Sequence, residues 1–251
     1  MISKDQHEFF FKHSVVTNLM ESLNDWTSNL ENKSTVKILY IDFAKAFDSV
    51  SIPKLLQKLI NFGIEGLLIS CIKSFLTDRH QRVKVGKEFS GELSLVSGVP
   101  QGSVLGPFLF LLFINDLPMI FDKQVQSKLF ADDLKSYNQD DYRLNSHSTQ
   151  TSLDLLNDWA KTWQLKMAIP KCGSLLLKGC ASFLDSENLY IDNMLLPAFE
   201  SVNDLGVIID SDLSFTAHIT GVISKSKQRI YLLLKAFQSR NIALMVFAYK
   251  T

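Results

Sequence analysis

Val15, Val16, Leu19, Leu23, Trp26 and Leu30 recur at steps of three and four behind Ser14, which predicts a capped amphipathic helix over about residues 14–31. Polar residues from Asn32 to Thr35 end it. Val36 to Ile41 is almost wholly apolar and β-rich, the pattern of a buried central strand, with Asp42 at its C-terminal edge. Ser51 followed by Pro53 starts a helix near 52–62, Gly63 stops it, and Ile64 to Leu76 supplies another. Arg79 to Val85 alternates as one strand, and Leu93 to Gln101 reads as a strand and loop closing on Gly102. Leu105 to Phe121 lacks a polar face, which predicts a buried helix. Ser127 to Tyr137 reads as two strands, with Asp132 and Asp133 forming a two-residue hairpin turn. Beyond a polar loop over Gln139 to Ser148, Leu153, Leu156, Trp159 and Trp163 have helical spacing. Short strands follow at Ser174–Leu177 and over Asp204 to Ile209. The last forty residues are helical, with Ile223, Ile230, Leu233 and Phe237 as a buried stripe. This order predicts an α+β fold rather than an alternating parallel sheet.

Composition changes the picture in one place. The chain has 251 residues, 46% hydrophobic, and its 26 basic and 26 acidic side chains cancel, so no overall excess announces a polyanion partner. Residues 211–251, however, hold six basic side chains against Asp212 alone. Cys71, Cys172 and Cys180 show neither a paired framework nor zinc spacing, which fits packing residues in a reducing intracellular compartment, nucleus or cytoplasm. The N-terminus is too charged for a signal peptide and the longest apolar run too short for a membrane helix, so a soluble protein is expected.

The chemistry lies in carboxylates. Asp42 ends a buried strand, and Asp132 and Asp133 stand in a turn ninety residues later. Separately, an aspartate after a strand ordinarily caps a loop and an Asp-Asp turn is an ordinary turn former. If the hairpin lies beside the Asp42 strand, hard oxygen donors converge in the way Mg²⁺ requires, and two such ions serve phosphoryl transfer. A second constellation runs from Ser97 to Ser103, where glycines and Pro100 surround Gln101 ahead of an apolar helix. It reads equally as a plain helix-start loop or as a phosphate and base contact.

These residues resemble a family. Ile41-Asp42-Phe43-Ala44-Lys45-Ala46-Phe47-Asp48, then Ser97 to Pro107, then Phe130-Ala131-Asp132-Asp133, resemble motifs A, B and C of reverse transcriptases, in the version of non-long-terminal-repeat (LINE-type) retrotransposons. Gln6-His7, Ser14 and Asn18-Leu19 upstream, Trp163 to Cys172 as motif D and Asp204 to Val207 as motif E extend the match. The resemblance implies a polymerase palm: an antiparallel sheet with a catalytic hairpin and helices packed on one face. It implies an RNA-directed DNA polymerase using Mg²⁺, with Mn²⁺ as a substitute, on an RNA template, a DNA primer and dNTPs. Asp42 and Asp132 would be the main metal ligands, Asp133 would complete the acidic site, and the Phe43 carbonyl would touch one metal. Phe47 would be the steric gate against a 2′-hydroxyl, Gln101 and Gly102 would lie against the incoming nucleotide, and Lys171 would protonate the pyrophosphate. Asp48 instead reads as a cap for the helix after Ser51.

The expected organisation is partial fingers and a leading helix over 1–35, a palm with a fingers insertion over 36–210, and a basic helical region over 211–251 leading toward a thumb. Against the family's pattern, Glu8 stands where relatives often have glycine, motif D lacks an asparagine, and the chain resembles a fragment. A catalytically silent remnant that at most binds nucleic acid is therefore the rival reading. Nucleic acid is expected at Arg79, Arg82, Lys84 and Lys87 on one strand, and at Lys225, Lys227, Arg229, Lys235, Arg240 and Lys250 in the tail, where solvated surface is the alternative.

Overall fold

Ser14 opens the first helix, α1 (Val15–Glu31), in the computed structural model, which describes residues 2–138, 146–177, 188–237 and 241–250 apart from the side chains of 146–148. The Ser14 hydroxyl accepts the Thr17 N–H while the Thr17 hydroxyl accepts the Ser14 N–H, so the helix start is capped reciprocally. Its buried face is only partly apolar: Asn18, Leu19, Ser22 and Trp26 are buried, and Val16 is exposed. The two polar members are bonded, Ser22 Oγ donating to the Asn18 carbonyl and Asn18 Nδ2 to that of Leu129.

The all-apolar run forms β1 (Val36–Ile41). Helices α2 (Ala46–Ser49), α3 (Ile52–Asn61) and α4 (Gly66–Leu76) follow, α3 ending as Gly63 takes a φ of 82°. Where one strand is expected over 79–85, the chain makes two: β2 (Arg79–Gln81) pairs with β5 (Leu93–Leu95), and β3 (Lys84–Val85) with β4 (Glu88–Phe89). Helix α5 spans Leu105–Ile114, and a 3-10 turn at Leu117–Ile120 replaces the rest of the expected helix. Pro118 is the reason, since it has no N–H to continue the ladder and its ring clashes with the turn before it.

Strands β6 (Val125–Phe130) and β7 (Asp133–Asn138) form the hairpin, α6 spans Ser146–Trp163, and β8 covers Gly173–Leu177. A small pair, β9 (Tyr190–Ile191) with β10 (Met194–Leu195), precedes β11 (Ala198–Phe199). The main sheet runs β11-β8-β1-β7-β6, antiparallel except at the β11 edge. Leu39, Ile41 and Leu134 point into the core with α5 and α6, whereas Ile38 and its partner Tyr137 point to the other face, where Tyr137 meets Trp26 of α1 edge-on at 5.7 Å. Helices therefore cover both faces of the sheet, not one as expected. An amphipathic α1 and a β1 buried on both sides require it.

The chain divides into two compact units, Met1–Phe199 and Glu200–Thr251. The second contains the hairpin β12 (Ser201–Asp204) and β13 (Val207–Asp210), then α7 (Thr216–Ala236) and α8 (Ile242–Lys250). The stretch over 204–209 is thus two strands about a turn at Leu205 and Gly206, both at positive φ, the turn whose twist suits a tight hairpin. No residue of α7 is buried, so the expected stripe is not covered: Ile223 and Ile230 are about half exposed, at 48% and 47%. Cys172 is buried but Cys71 is exposed, against the expectation of packing, while Cys180, Arg240 and most of the polar loop at 139–148 lie outside the described residues. No described helix is long and apolar enough to cross a membrane.

Candidate active site

Two strand ends build the site. β1 and β7 pair in the register Ile41↔Leu134, so Asp42 leaves the sheet beside the β6–β7 turn. The turn residues are Ala131 and Asp132, since Phe130 pairs with Asp133; the expected Asp132-Asp133 turn is shifted by one residue, and Asp133 is the first residue of β7. Ala131 takes a φ of 49°, a left-handed conformation that its Cβ resists at a cost of about 1–2 kcal/mol.

On its other side, the segment after β1 is held by the motif D stretch. The Ala168 N–H donates to the Asp42 carbonyl at 2.8 Å and the Ala44 N–H to the Lys166 carbonyl at 2.7 Å, flanking a bridge between Phe43 and Met167. In such a pair the central residues turn their own polar groups outward, so the Phe43 carbonyl faces away from Met167. Lys171 Nζ donates to Asp42 Oδ2 at 2.9 Å, and the Asp42 N–H donates to Cys172 Sγ at 3.4 Å.

Charge is unbalanced here. Burial, together with the Asp42 charge, pushes the Asp132 carboxyl above its ordinary range, against the pull of its own backbone hydrogen bond and of Lys171. The Asp42 hydrogen bond raises the Lys171 ammonium. Glu8 reaches the same end of the sheet, where burial and then Asp132 and Asp133 push its carboxyl up to about 7. Among the described residues no three His, Cys, Asp or Glu side chains are arranged as a metal cage. A carboxylate pair fits Mg²⁺ nonetheless. That ion is held by one or two carboxylates with water and substrate phosphates completing its shell, and a divalent charge would offset both the burial and the Asp42 repulsion that raise Asp132.

The Ser97–Ser103 loop is fastened to the turn after motif A. Val99 N–H donates to the Phe47 carbonyl, Gly98 N–H to that of Val50, and Ser97 Oγ to that of Asp48. Gly98 has a φ of 84°, and a Cβ there would lie 2.7 Å from the Asp48 carbonyl oxygen. Asp48 does not cap α3, which begins without a side-chain cap; its Oδ1 accepts from Gln101 Nε2 at 2.8 Å. That bond orients the amide, because a carboxylate only accepts. Gly102 sits at a φ of 78° with open space around it. Ser103 Oγ accepts the Gly106 N–H, so one donor at the start of α5 is already taken. Phe47 stacks on Phe110, with ring centroids 4.1 Å apart, and remains partly exposed.

The basic residues fare differently. Arg79 is committed within the chain, donating to the carbonyls of Leu76, Ser97 and Gly98, so it braces the loop. Arg82 pairs with Glu92 on the exposed hairpin, and Lys84 lies over Phe89. Lys225, Lys227 and Arg229 are exposed on α7 in the second unit. Pattern reasoning gave Cys172, Asp48 and the Lys166–Ala168 segment no role in the site, although Asp48 lies in the motif A match and the others in the motif D match.

The family model described as reverse transcriptase (RNA-dependent DNA polymerase) matches residues 1–231. The chain is 29% identical over 228 residues to the RNA-directed DNA polymerase from mobile element jockey of Drosophila melanogaster, covering 88% of this chain and 25% of that protein. It is 25% identical over 255 residues to the probable RNA-directed DNA polymerase from transposon X-element of the same fly, covering 98% and 28%. The chain thus spans about a quarter of the length of these relatives. Among solved structures, apo telomerase from Candida tropicalis truncated from its C-terminal domain superposes with a TM-score of 0.57 at 12% identity, covering 84% of this chain and 40% of that one. Telomerase from Candida albicans in complex with a TWJ fragment of telomeric RNA gives 0.55 at 14%, covering 80% and 34%. At these identities the likeness is one of fold.

Proposed function

The chain belongs to the reverse transcriptase (RNA-dependent DNA polymerase) family, and on that premise we propose that it is the palm of an RNA-directed DNA polymerase of non-long-terminal-repeat retrotransposon origin. It would join dNTPs to a DNA primer 3′-hydroxyl on an RNA template. The observation that carries this reading is the meeting of Asp42 and Asp132 at neighbouring strand ends, with Asp132 pushed toward protonation by burial and by Asp42.

Asp42 and Asp132, with the Phe43 carbonyl and Asp133 beside them, would hold Mg²⁺, or Mn²⁺ in its place. A metal bound there would lower the hydroxyl's pKa and neutralise phosphate charge. Everything else the protein does is positioning. Phe47, held rigid by its stack on Phe110, stands as the gate against a 2′-hydroxyl. Gln101 keeps Nε2 on Asp48 and offers Oε1 to the incoming nucleotide, and Gly102 leaves room for its approach. Lys171 exchanges Asp42 for the leaving pyrophosphate and gives it a proton. Arg82, Lys84, Lys225 and Arg229 meet phosphate backbones, while Arg79 contributes chiefly by holding the loop.

One observation favours the rival reading of a silent remnant: Glu8, where relatives often have glycine, adds a carboxylate that feels Asp132 and Asp133. Primer extension on an RNA template separates the two. Asp132→Asn keeps shape and removes charge, so extension should fall at least about 100-fold with folding intact. Extension by the variant at the parent's rate would refute the assignment, and none by the parent would favour the silent remnant.

A further inference from the structure

The catalytic hairpin turn does not support itself. Ala131 is 3% exposed and left-handed at a φ of 49°, so its N–H and C=O belong to no ladder and reach no water. A buried peptide left unpaired costs about 1–3 kcal/mol per group. The partner comes from 125 residues away. Asp5 to His7 runs parallel to the outer edge of β6, with the His7 N–H donating to the Leu129 carbonyl and the Leu129 N–H to that of Asp5. From this segment Gln6, 2% exposed, sends its amide to the turn. Its Oε1 accepts the Ala131 N–H at 3.0 Å, and its Nε2 donates to the Ala131 carbonyl at 3.4 Å. One side-chain amide thus completes both polar groups of Ala131, and the carbonyl it holds belongs to the peptide that carries Asp132.

We propose that Gln6 is a positioning residue for Asp132: its buried amide clasps Ala131 and thereby sets the direction in which the Asp132 carboxylate faces Asp42. This rests on the reading that Asp42 and Asp132 hold a divalent cation. Two further contacts agree with the assignment. Gln6 Oε1 also accepts the Glu8 N–H at 2.9 Å, so the clasp also places Glu8, whose carboxyl feels Asp132 and Asp133. Asn18 donates to the Leu129 carbonyl, fixing the strand on which Gln6 lies. Glutamine suits the task because it alone combines an acceptor and a donor at this reach with no charge beside Asp132.

The test uses Mn²⁺ and Mg²⁺ binding together with amide exchange, on the 251-residue chain and three variants. Asp132→Asn should lose Mn²⁺ affinity; if the parent does not bind, or this variant binds as the parent does, the metal reading fails and takes the clasp with it. Gln6→Met keeps length and apolar bulk but bonds neither group, and should weaken Mn²⁺ about tenfold, the scale of supporting partners at metal sites. The Ala131 amide should exchange faster while that of Leu129 stays protected. A variant that melts earlier yet binds Mn²⁺ within about twofold of the parent would make Gln6 merely structural. Phe62→Ala, at an exposed position on the end of α3, should leave affinity unchanged. Should Gln6→Met not fold, the parent decides. By linkage, Mg²⁺ must slow exchange at Ala131 and at the Gln6 side-chain amide together, and no change at saturating Mg²⁺ overturns the proposal.

Discussion

Lys58 sets burial directly against charge. It is 4% exposed, its ammonium lies 3.8 Å from the Trp163 ring centroid, and it donates to the Phe113 carbonyl and to Asp116. Burial pushes its pKa down to about 8 although Asp116 pulls the other way. The unfolded chain, with an ordinary lysine, therefore binds more protons between about pH 8 and 10.5, and stability rises with pH across that window. The Cys172 thiol, raised by burial, opposes this in part above its ordinary value near 9, and Tyr137, raised by burial and Asp25, only above 10. Urea unfolding should thus give a larger free energy at about pH 9.5 than at about pH 7.5, and Lys58→Met should flatten the difference. An equal rise in the variant would place the proton elsewhere. Phe47 invites a second residue-scale test, since its ring both packs and gates. Phe47→Val should cost about 1–3 kcal/mol through the lost stack on Phe110 and should admit ribonucleotides in primer extension. A cost in stability with discrimination unchanged would leave the ring as packing alone.

Elements meet at the Ser97–Gly102 loop, which is zipped to the segment before α3 through backbone bonds at Phe47 and Val50 and the Ser97 hydroxyl on the Asp48 carbonyl. Gly98 and Gly102 both have positive φ, but only Gly98 lies against backbone. Gly102→Ala should therefore cost about 1 kcal/mol, the price of the left-handed conformation, and Gly98→Ala clearly more, because Asp48 backbone must also move. Urea midpoints of the two variants check this, and equal losses would show that the close approach is immaterial. The helix boundaries follow the same logic of chemistry over periodicity. The apolar run from Leu105 promised a helix to Phe121, yet Pro118 ended the α-helix at Ile114. Likewise Arg79 to Val85 alternates as one strand but pairs as two, because each half found a different partner, β5 or β4.

At the scale of the molecule, the second unit carries exposed cations on α7 and the first carries the carboxylates. If α7 holds a nucleic-acid duplex, replacing Lys225, Lys227 and Arg229 with glutamine should weaken binding alike for all sequences. The slope of log affinity against log salt should flatten by about one unit for each phosphate contact removed. Coincident slopes would make this helix a solvated surface. The sequence alone carries what repeats locally: the cap and period of α1, the double-sided burial of β1 up to Asp42, the apolar α5, and a hairpin about Asp132. Motif order added the family. Only the tertiary structure decided the partners. It set β7 and β8 on either side of β1, gave Gln101 to Asp48 and Cys172 to the Asp42 amide, spent Arg79 on the loop, and brought Gln6 to Ala131. Periodicity reports whether a side chain faces inward, which is a property of neighbouring dihedrals. Which group it then meets depends on residues that can lie more than a hundred positions away, as Ala131 does from Gln6, and no local pattern contains that information.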